Sequence, residues 1–317
     1  MKQPKILVVG SFVMDLIVGC ERFPEEGETV IGTSFSTAAG GKGANQAVQA
    51  ARLGAKVTMV GKVGDDDFGK RLIATAAEAG VDTSKVLVSR TQPSAVGNIQ
   101  LETKNGQTNN RICVVPGANM DITLDDIAFL EEEIAEYDMV IIQFEIPMEI
   151  NIAVAKFAAA KGVPLMVNAA PFAPVPEELL PYITYISPNE HEAGEMTGIK
   201  VTDLASAEAA VKKIVSTGID NVIITLGSRG AVIGDGKEFV FSPAAKGVVS
   251  VDPTAAGDSF VGAFCTAICH GLSKEKAMEF ANQTASVTVT GLGAMPSLPT
   301  LEQVRKIMIE RGLAPEF

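Results

Sequence analysis

Six short runs of apolar, largely β-branched residues recur along this chain, with helical patterns between most of them. They are KILVVG (5–10), KVTMVG (56–61), MVIIQF (139–144), VPLMVN (163–168), YITYIS (182–187) and NVIITLG (221–227). The helical patterns include GANQAVQAARLG (43–54), FGKRLIATAAEAG (68–80), LDDIAFLEEEIAEY (124–137), NIAVAKFAAAKG (151–162) and ASAEAAVKKIVSTG (205–218). A strand that is apolar on both sides needs cover on both faces, and a helix between successive strands supplies it. The alternation therefore points to an α/β fold with a mostly parallel sheet buried between helices. A length of 317 residues allows about two domains, but α/β units often run this long as one. No linker or repeat interrupts the pattern, so one domain over 1–317 is expected.

Two stretches break the alternation. Residues 16–38 hold no helix pattern, only alternating segments around FPEEGETVIG. Residues 94–115, SAVGNIQLETKNGQTNNRICVV, alternate about Asn105-Gly106, a strong hairpin signal. Neither suits a central parallel strand, so both are expected in a small antiparallel sheet at the edge of the main one. A lid is the better use for such a sheet, because ligands bind at the C-terminal ends of parallel strands and closure excludes water.

Charge and cysteines narrow the class. A net charge of −12 disfavours a nucleic-acid or anionic-membrane surface, both of which require excess Lys and Arg. No apolar run approaches the ~18 residues of a membrane span, and the short run ending at Gly10 does not make a signal peptide. The chain reads as cytoplasmic. Cys20, Cys113, Cys265 and Cys269 form no C-x-x-C and have no nearby His to complete a ligand set, so they read as small core residues.

Residues 252–264, DPTAAGDSFVGAF, raise a chemical question. GVVSVD (247–252) reads as a strand end and 257–271 as a buried helix closed by Gly271. Small residues at a helix start let an anion approach backbone N–H groups that have no intrahelical partner. Asp258 there is either a helix stabiliser worth about 1 kcal/mol or a base beside an anion hole. Locally the two are even. A second glycine-rich stretch, AAGGKGANQAVQAARLG (38–54), has neither the Walker A nor the G-x-G-x-x-G spacing. It is either a tight turn before a buried helix or a ligand site offering N–H groups, Lys42 and Asn45.

GGKGANQA (40–47) together with VDPTAAGDSF (251–260) resembles the ribokinase branch of the carbohydrate kinases named after minor bacterial phosphofructokinase. GDDDFG (64–69), QFEIP (143–147), PNEHEAG (188–194), TLGSRG (225–230) and GAMPS (293–297) follow in that family's order, so the resemblance spans nearly the whole chain. It implies a three-layer α/β/α sandwich with a nine-stranded sheet and a four-stranded lid. It implies transfer of the γ-phosphoryl group of ATP to a primary sugar hydroxyl, with Asp258 as base and the N–H groups of Ala255, Ala256 and Gly257 as anion hole. The chemistry agrees: the transition state spreads charge over the phosphoryl oxygens, where fixed donors help most. A carboxylate cannot ionise an alcohol beforehand, so Asp258 orients the hydroxyl and accepts its proton late.

The resemblance also assigns Val13, Asp15, Gly41, Lys42, Asn45 and Glu145 to the sugar. Without it, Asp15 could equally be a turn residue. Asn189 and Glu192 fall on positions that organise Mg2+ and phosphate through water. Thr225, Gly227, Ser228 and Gly230 fall on nucleotide positions, and Asn282 beside the adenine. A monovalent cation, usually K+, is implied at Asp252 and Ser297 through side chains and at Thr254, Thr288, Gly291 and Gly293 through carbonyls; oxygen ligands suit a hard cation. A homodimer through the lid is implied too, and Val30, Ile31, Phe35, Ile99, Leu101, Ile112 and Val114 give the lid apolar residues to pair with.

Two residues depart from the family pattern. Val13 stands where ribose kinases have Asn, and Pro253 follows Asp252 where Thr is common. Pro253 removes one N–H but spares those that follow. His191 and His270 match no catalytic position. Three functions are expected in order: phosphorylation of O5 of D-ribose; the same chemistry on 2-deoxy-D-ribose or another small furanose; and a non-catalytic sugar sensor, against which the intact Gly257-Asp258 pair argues.

Overall fold

A computed structural model describes residues 3–104 and 107–317. The N-terminal part runs β1 (Lys5–Val9), β2 (Val13–Cys20), β3 (Ser34–Gly40), α1 (Lys42–Arg52), β4 (Lys56–Gly64), α2 (Asp67–Glu78), β5 (Val86–Ser89), β6 (Val96–Lys104) and β7 (Gln107–Val115). The middle holds α3 (Leu124–Ile127), α4 (Leu130–Glu133), β8 (Met139–Gln143), α5 (Met148–Ala160), β9 (Leu165–Asn168), β10 (Tyr185–Ile186), α6 (Glu190–Thr197), α7 (Leu204–Val215) and β11 (Asn221–Thr225). The chain ends with β12 (Gly230–Gly234), β13 (Phe239–Pro243), α8 (Ala256–Cys269), α9 (Lys274–Thr288) and α10 (Leu301–Glu310).

The main sheet has nine strands in the order β13-β12-β11-β10-β9-β8-β1-β4-β5, all running the same way except β12, which is antiparallel to both its neighbours. Side chains alternate across a strand, and β1 displays this cleanly. Ile6 and Val8 join one buried cluster with α1, α8 and α9, while Leu7 and Val9 join another with α5 and α7. The two clusters are the two cores of a three-layer α/β/α sandwich. Gly262 of α8 lets this helix press onto α1: a Cβ there would lie 2.9 Å from the Gln46 carbonyl oxygen.

The lid is a separate four-stranded sheet, β3-β2-β6-β7. Its outer pairs are antiparallel, and β2 meets β6 in parallel. Strand begins at Val13, and residues 21–33 between β2 and β3 form none. The Asn105-Gly106 turn lies outside the described residues. Directly opposed residues share a face, so the register puts Asp15, Gly97, Ile99, Leu101, Ile112 and Val114 on one face and Phe35 on the other.

Three local expectations fail. The 124–137 helix pattern breaks into α3, α4 and a short 3-10 turn at Ile134–Glu136; a Thr123–Asp126 capping box starts the segment, and its short turns bury Ile127, Leu130 and Ile134 together. Residues 247–252 form no strand; Val251 and Asp252 instead donate their N–H groups to the Val289 carbonyl. The 182–187 run keeps strand only at Tyr185–Ile186, since 180–182 turns as 3-10 helix. The structure also adds β5, β12, β13, α6, α9 and α10 to the expected set. No described helix is long and apolar enough to cross a membrane.

Candidate active site

Helix α8 starts beside the C-terminal ends of β9, β10 and β11, and its first turn holds Asp258, which is buried. Ala255, just before it, has φ 61° and is the only described non-glycine residue at positive φ. Such a conformation costs an alanine on the order of 1–3 kcal/mol; here it turns the chain from the 252–254 loop into the helix. First-turn N–H groups lack intrahelical partners. Of the three expected in an anion hole, Ala256 N–H donates to the Pro253 carbonyl at 3.2 Å, so Ala255 and Gly257 are better placed to supply donors.

Asp258 is held from α1. Asn45 Nδ2 donates to Oδ2 at 2.9 Å, and Gln46 Nε2 donates to Oδ1 at 2.9 Å. Asn45 Oδ1 is buried and has no partner, so an acceptor remains beside the base. Gly41 (φ 97°) and Gly43 permit the approach of α1 to the end of β1: a Cβ on Gly41 would lie 2.7 Å from Val13 N, and one on Gly43 2.5 Å from Ser11 N. Lys42 is partly buried. Burial works against its charge, but Asp258, Glu145 and Glu192 together more than offset that and raise its pKa.

The sugar-side residues converge at the root of the lid. Asp15 sits between glycines on both neighbouring strands; a Cβ on Gly40 would lie 2.9 Å from Oδ2, and one on Gly97 2.5 Å from Oδ1. Desolvation, then the Glu145 charge, raise the Asp15 pKa to about 6. Val13 lies two residues earlier on the same face and is buried; its Cγ1 would be 3.6 Å from the same Cβ on Gly97. Glu145 accepts from Lys42 N–H at 3.0 Å and from the Ser11 hydroxyl. The partly buried acid is thus partnered, as its position after a buried strand favours.

Two cavities meet at the start of α8. A polar one of about 130 Å3 is lined by Lys42, Asn168, Ser187, Glu192, Thr225 and the 255–258 turn. A larger one of about 450 Å3 is lined by Gly227, Ser228, Ala244, Asn282 and Val289 among others, and shares Pro253 and Ala256 with the first. Asn189 is a helix cap as well as a wall: its Oδ1 accepts from the N–H groups of His191 and Glu192, and Glu192 returns the bond to Asn189 N–H at 2.8 Å. Burial raises the Glu192 carboxyl pKa. Thr225 forms an isolated bridge with Asn189, and Gly230 (φ 113°) must be glycine because any side chain would collide with the Ser242 carbonyl. Asn282 Nδ2 is committed to β13, donating to Ser242 O at 3.0 Å.

The candidate cations can be tested against donors. Among the described residues no three His, Cys, Asp or Glu side chains cluster. Mg2+ does not need such a cage, since it is commonly held by one or two carboxylates plus phosphates and water. Glu192 and Asp258 line the polar cavity, and Ser187 Oγ there is buried without a partner, so this donor set fits. For a monovalent ion, Asp252 accepts from Thr254 N–H and Gly293 N–H, both at 2.9 Å, and so ties together the two loops that carry the expected oxygens. Partial burial would raise its pKa, but these bonds outweigh that and lower it. Gly291 packs on Ser297, where a Cβ would lie 2.8 Å from Ser297 Cβ. Thr288 Oγ1 pairs with Ser259 Oγ at 2.7 Å, and the Thr288 carbonyl, which accepts from Gly291 N–H at 3.0 Å, keeps a second lone pair for a cation. One carboxylate with several neutral oxygens fits a hard, singly charged ion.

The histidines stand apart from this chemistry: His270 stacks on Phe317 at 4.3 Å and His191 is exposed. Sequence reasoning missed Ser11, Gln46, Gln143 and Asn168. The one signal available was a glutamine ending the otherwise apolar strand MVIIQ.

Comparison with known proteins places this geometry in a family. Residues 3–301 match the pfkB family carbohydrate kinase. The chain is 39% identical to the ribokinase of Bacillus subtilis (strain 168) over 303 residues, covering 96% of this chain and 99% of that one. It is 33% identical to the deoxyribokinase of Salmonella typhi over 306 residues, covering 96% and 98%. The structure of Arabidopsis thaliana ribokinase complexed with ribose and ATP superposes with a TM-score of 0.88 at 34% identity, covering 97% of this chain and 99% of that chain. The chain belongs to the pfkB family of carbohydrate kinases and is an enzyme of that family, a phosphotransferase acting on a sugar hydroxyl.

Proposed function

We propose that this enzyme is an ATP-dependent ribokinase that transfers the γ-phosphoryl group to O5 of D-ribose. The observation that carries the reading is the place of Asp258. It sits in the wall of the polar cavity, two residues from Ala256, which also lines the larger cavity, and is tied to the helix that begins at the sugar-side glycines. A sugar held by Asp15, Glu145 and Asn45 would present a hydroxyl to Asp258, and ATP would present its γ-phosphoryl group to the α8 start.

The residues divide the work. Asp15, flanked by Gly40 and Gly97, can accept two hydrogen bonds from adjacent ring hydroxyls. Asp258 orients the attacking hydroxyl and takes its proton as the O–P bond forms. Lys42 and the N–H groups of Ala255 and Gly257 face the charge that develops on the phosphoryl oxygens. Mg2+, held at Glu192 through water, would neutralise the phosphates, and K+ at the Asp252 loops would steady the α8 start. Thr225, Gly227, Ser228, Gly230 and Asn282 border the nucleotide. ADP release measured over a panel of pentoses, hexoses and nucleosides, with and without K+, tests this reading; no turnover of any sugar would overturn it.

A second reading, phosphorylation of 2-deoxy-D-ribose, is favoured by Val13, which places a buried apolar side chain beside Asp15. The likeness to a deoxyribokinase is in keeping with it. The sensor reading would need the base to be lost, and Asp258 is intact. We also propose a cytoplasmic homodimer. Ile112 and Val114 are exposed on the Asp15 face of the lid, an apolar surface that a second lid would cover.

A further inference from the structure

Four polar side chains are buried together beneath α1. Gln46 and Gln143 are fully buried, and Asn168 and Asp258 nearly so. Gln143 and Asn168 are register partners on β8 and β9, so they stand side by side on the sheet face that carries α1. Apolar residues would fill this layer more cheaply, since burying amides is unfavourable unless every bond is made. We infer that Gln46 and Gln143 form a two-amide relay in which Gln46 positions Asp258 and Gln143 fixes the direction of the Gln46 amide.

An ionised carboxylate only accepts hydrogen bonds, so Gln46 must turn Nε2 toward Asp258 Oδ1, 2.9 Å away. The same Nε2 reaches Asn168 Oδ1 at 3.1 Å, and Asn168 is itself oriented by donating Nδ2 to the Ser187 carbonyl at 2.9 Å. Gln46 Oε1 then points the other way and needs a donor. Gln143 Nε2 supplies it at 2.7 Å. This leaves Gln143 Oε1 buried and without a partner. Gly10 makes room for it, since any side chain there would collide with that oxygen. The unsatisfied acceptor at the far end is what a chain polarised toward Asp258 leaves behind. Lys42 from α1 and Glu192 from α6 are the charged groups that face Asp258.

The inference rests on Asp258 being the base. The test uses the purified full chain, ribose and ATP, with kcat followed against pH and thermal melting as the control for folding. Gln46→Glu keeps the acceptor for Gln143 but sets a carboxylate against Asp258. The expected result is a kcat at pH 7 lowered about tenfold or more, an acid limb moved up by about one pH unit, and a ribose KM within about threefold of wild type. Gln143→Glu should give the same signature in milder form, because Gln46 must then turn its donor away from Asp258. Should either chain fail to fold, Gln46→Met removes the donor without charge, and kcat should still fall at least about fivefold with KM retained. Folded variants whose kcat and pH profile superpose on wild type would overturn the relay. If Asp258→Asn itself kept more than about a tenth of kcat, the base assignment would fail instead, so the two failures are distinguishable.

Discussion

Asn45 Nδ2 donates to Asp258 Oδ2 at 2.9 Å, joining the first turn of α1 to the first turn of α8 across 213 residues of sequence. Its own Oδ1 is left buried and unpartnered. One amide therefore grips the base with its nitrogen and keeps its oxygen for a sugar hydroxyl. This sets what replacement of Asp258 should do.

Asp258→Asn is expected to lower kcat by roughly 10²–10⁴-fold. It is not neutral for folding, because one side-chain N–H must now face the N–H of Asn45 or Gln46. A loss of about 1–3 kcal/mol is expected in a thermal or urea melt. A kcat above about a tenth of wild type would refute the base assignment.

Asp15 couples stability to pH in the opposite sense from a salt-bridged acid. Its pKa rises from 3.8 to about 6 in the folded chain, so the folded state binds the proton more tightly than the unfolded state. Stability should fall as pH rises from about 4 to 6, by about 3 kcal/mol at most, with the full cost present above that window. Asp15→Asn should therefore raise the melting temperature at pH 7.5 and not at pH 4. Because sugar hydroxyls donate to the ionised form, kcat/KM for sugar should rise through a limb near pH 6 that Asp15→Asn removes. An unchanged melting temperature at pH 7.5 would contradict the assignment.

Val13→Asn should shift choice of sugar. A ribose hydroxyl facing Val13 without a partner costs about 1–3 kcal/mol, or roughly 5- to 150-fold in affinity, and 2-deoxyribose avoids this. The ratio of kcat/KM for ribose over 2-deoxyribose should rise in the variant. Should it stay the same, Val13 does not read the sugar.

Light scattering at micromolar concentration should give twice the 33.1 kDa chain mass. Ile112→Lys with Val114→Lys places two charges on the Asp15 face of the lid and should yield monomers with weaker sugar binding. A monomeric wild type would rule the dimer out.

Removing K+ should lower kcat several-fold, and Asp252→Asn should abolish that response by taking away the one carboxylate that joins the 252–254 and 291–293 loops. Activity indifferent to K+ in the wild type would dismiss the site.

The parallel sheet was legible because strands buried on both faces leave uninterrupted apolar runs, as in KILVV and MVIIQ. The lid was legible from alternation, but its register was not. The sequence alone did not tell that Ile112 shares a face with Asp15, which depends on a β2–β6 pairing between segments about 80 residues apart. GVVSVD looked like a strand because its residues have strand propensity; Val289 captures two of its N–H groups and local preference yields to tertiary bonding. The base and glycines were found through motifs. Gln143 was hidden because a buried amide matters only through partners on other strands and helices.

The close approach of Gly262 to Gln46 also sets an order of assembly. Every residue assigned to the sugar except Asp258 lies at or before Glu145, while the phosphate-side turn and the helix that covers α1 come more than 100 residues later. During synthesis α1 must wait, with Asn45, Gln46 and Gln49 lacking the α8 groups that they bond or lie against. Contacts of such long range form late and leave apolar surface open to aggregation meanwhile. A chain truncated before Ala256 should expose α1 to proteases and hydrogen exchange ahead of β1 and β8; protection of α1 equal to theirs would show that α8 is not its cover.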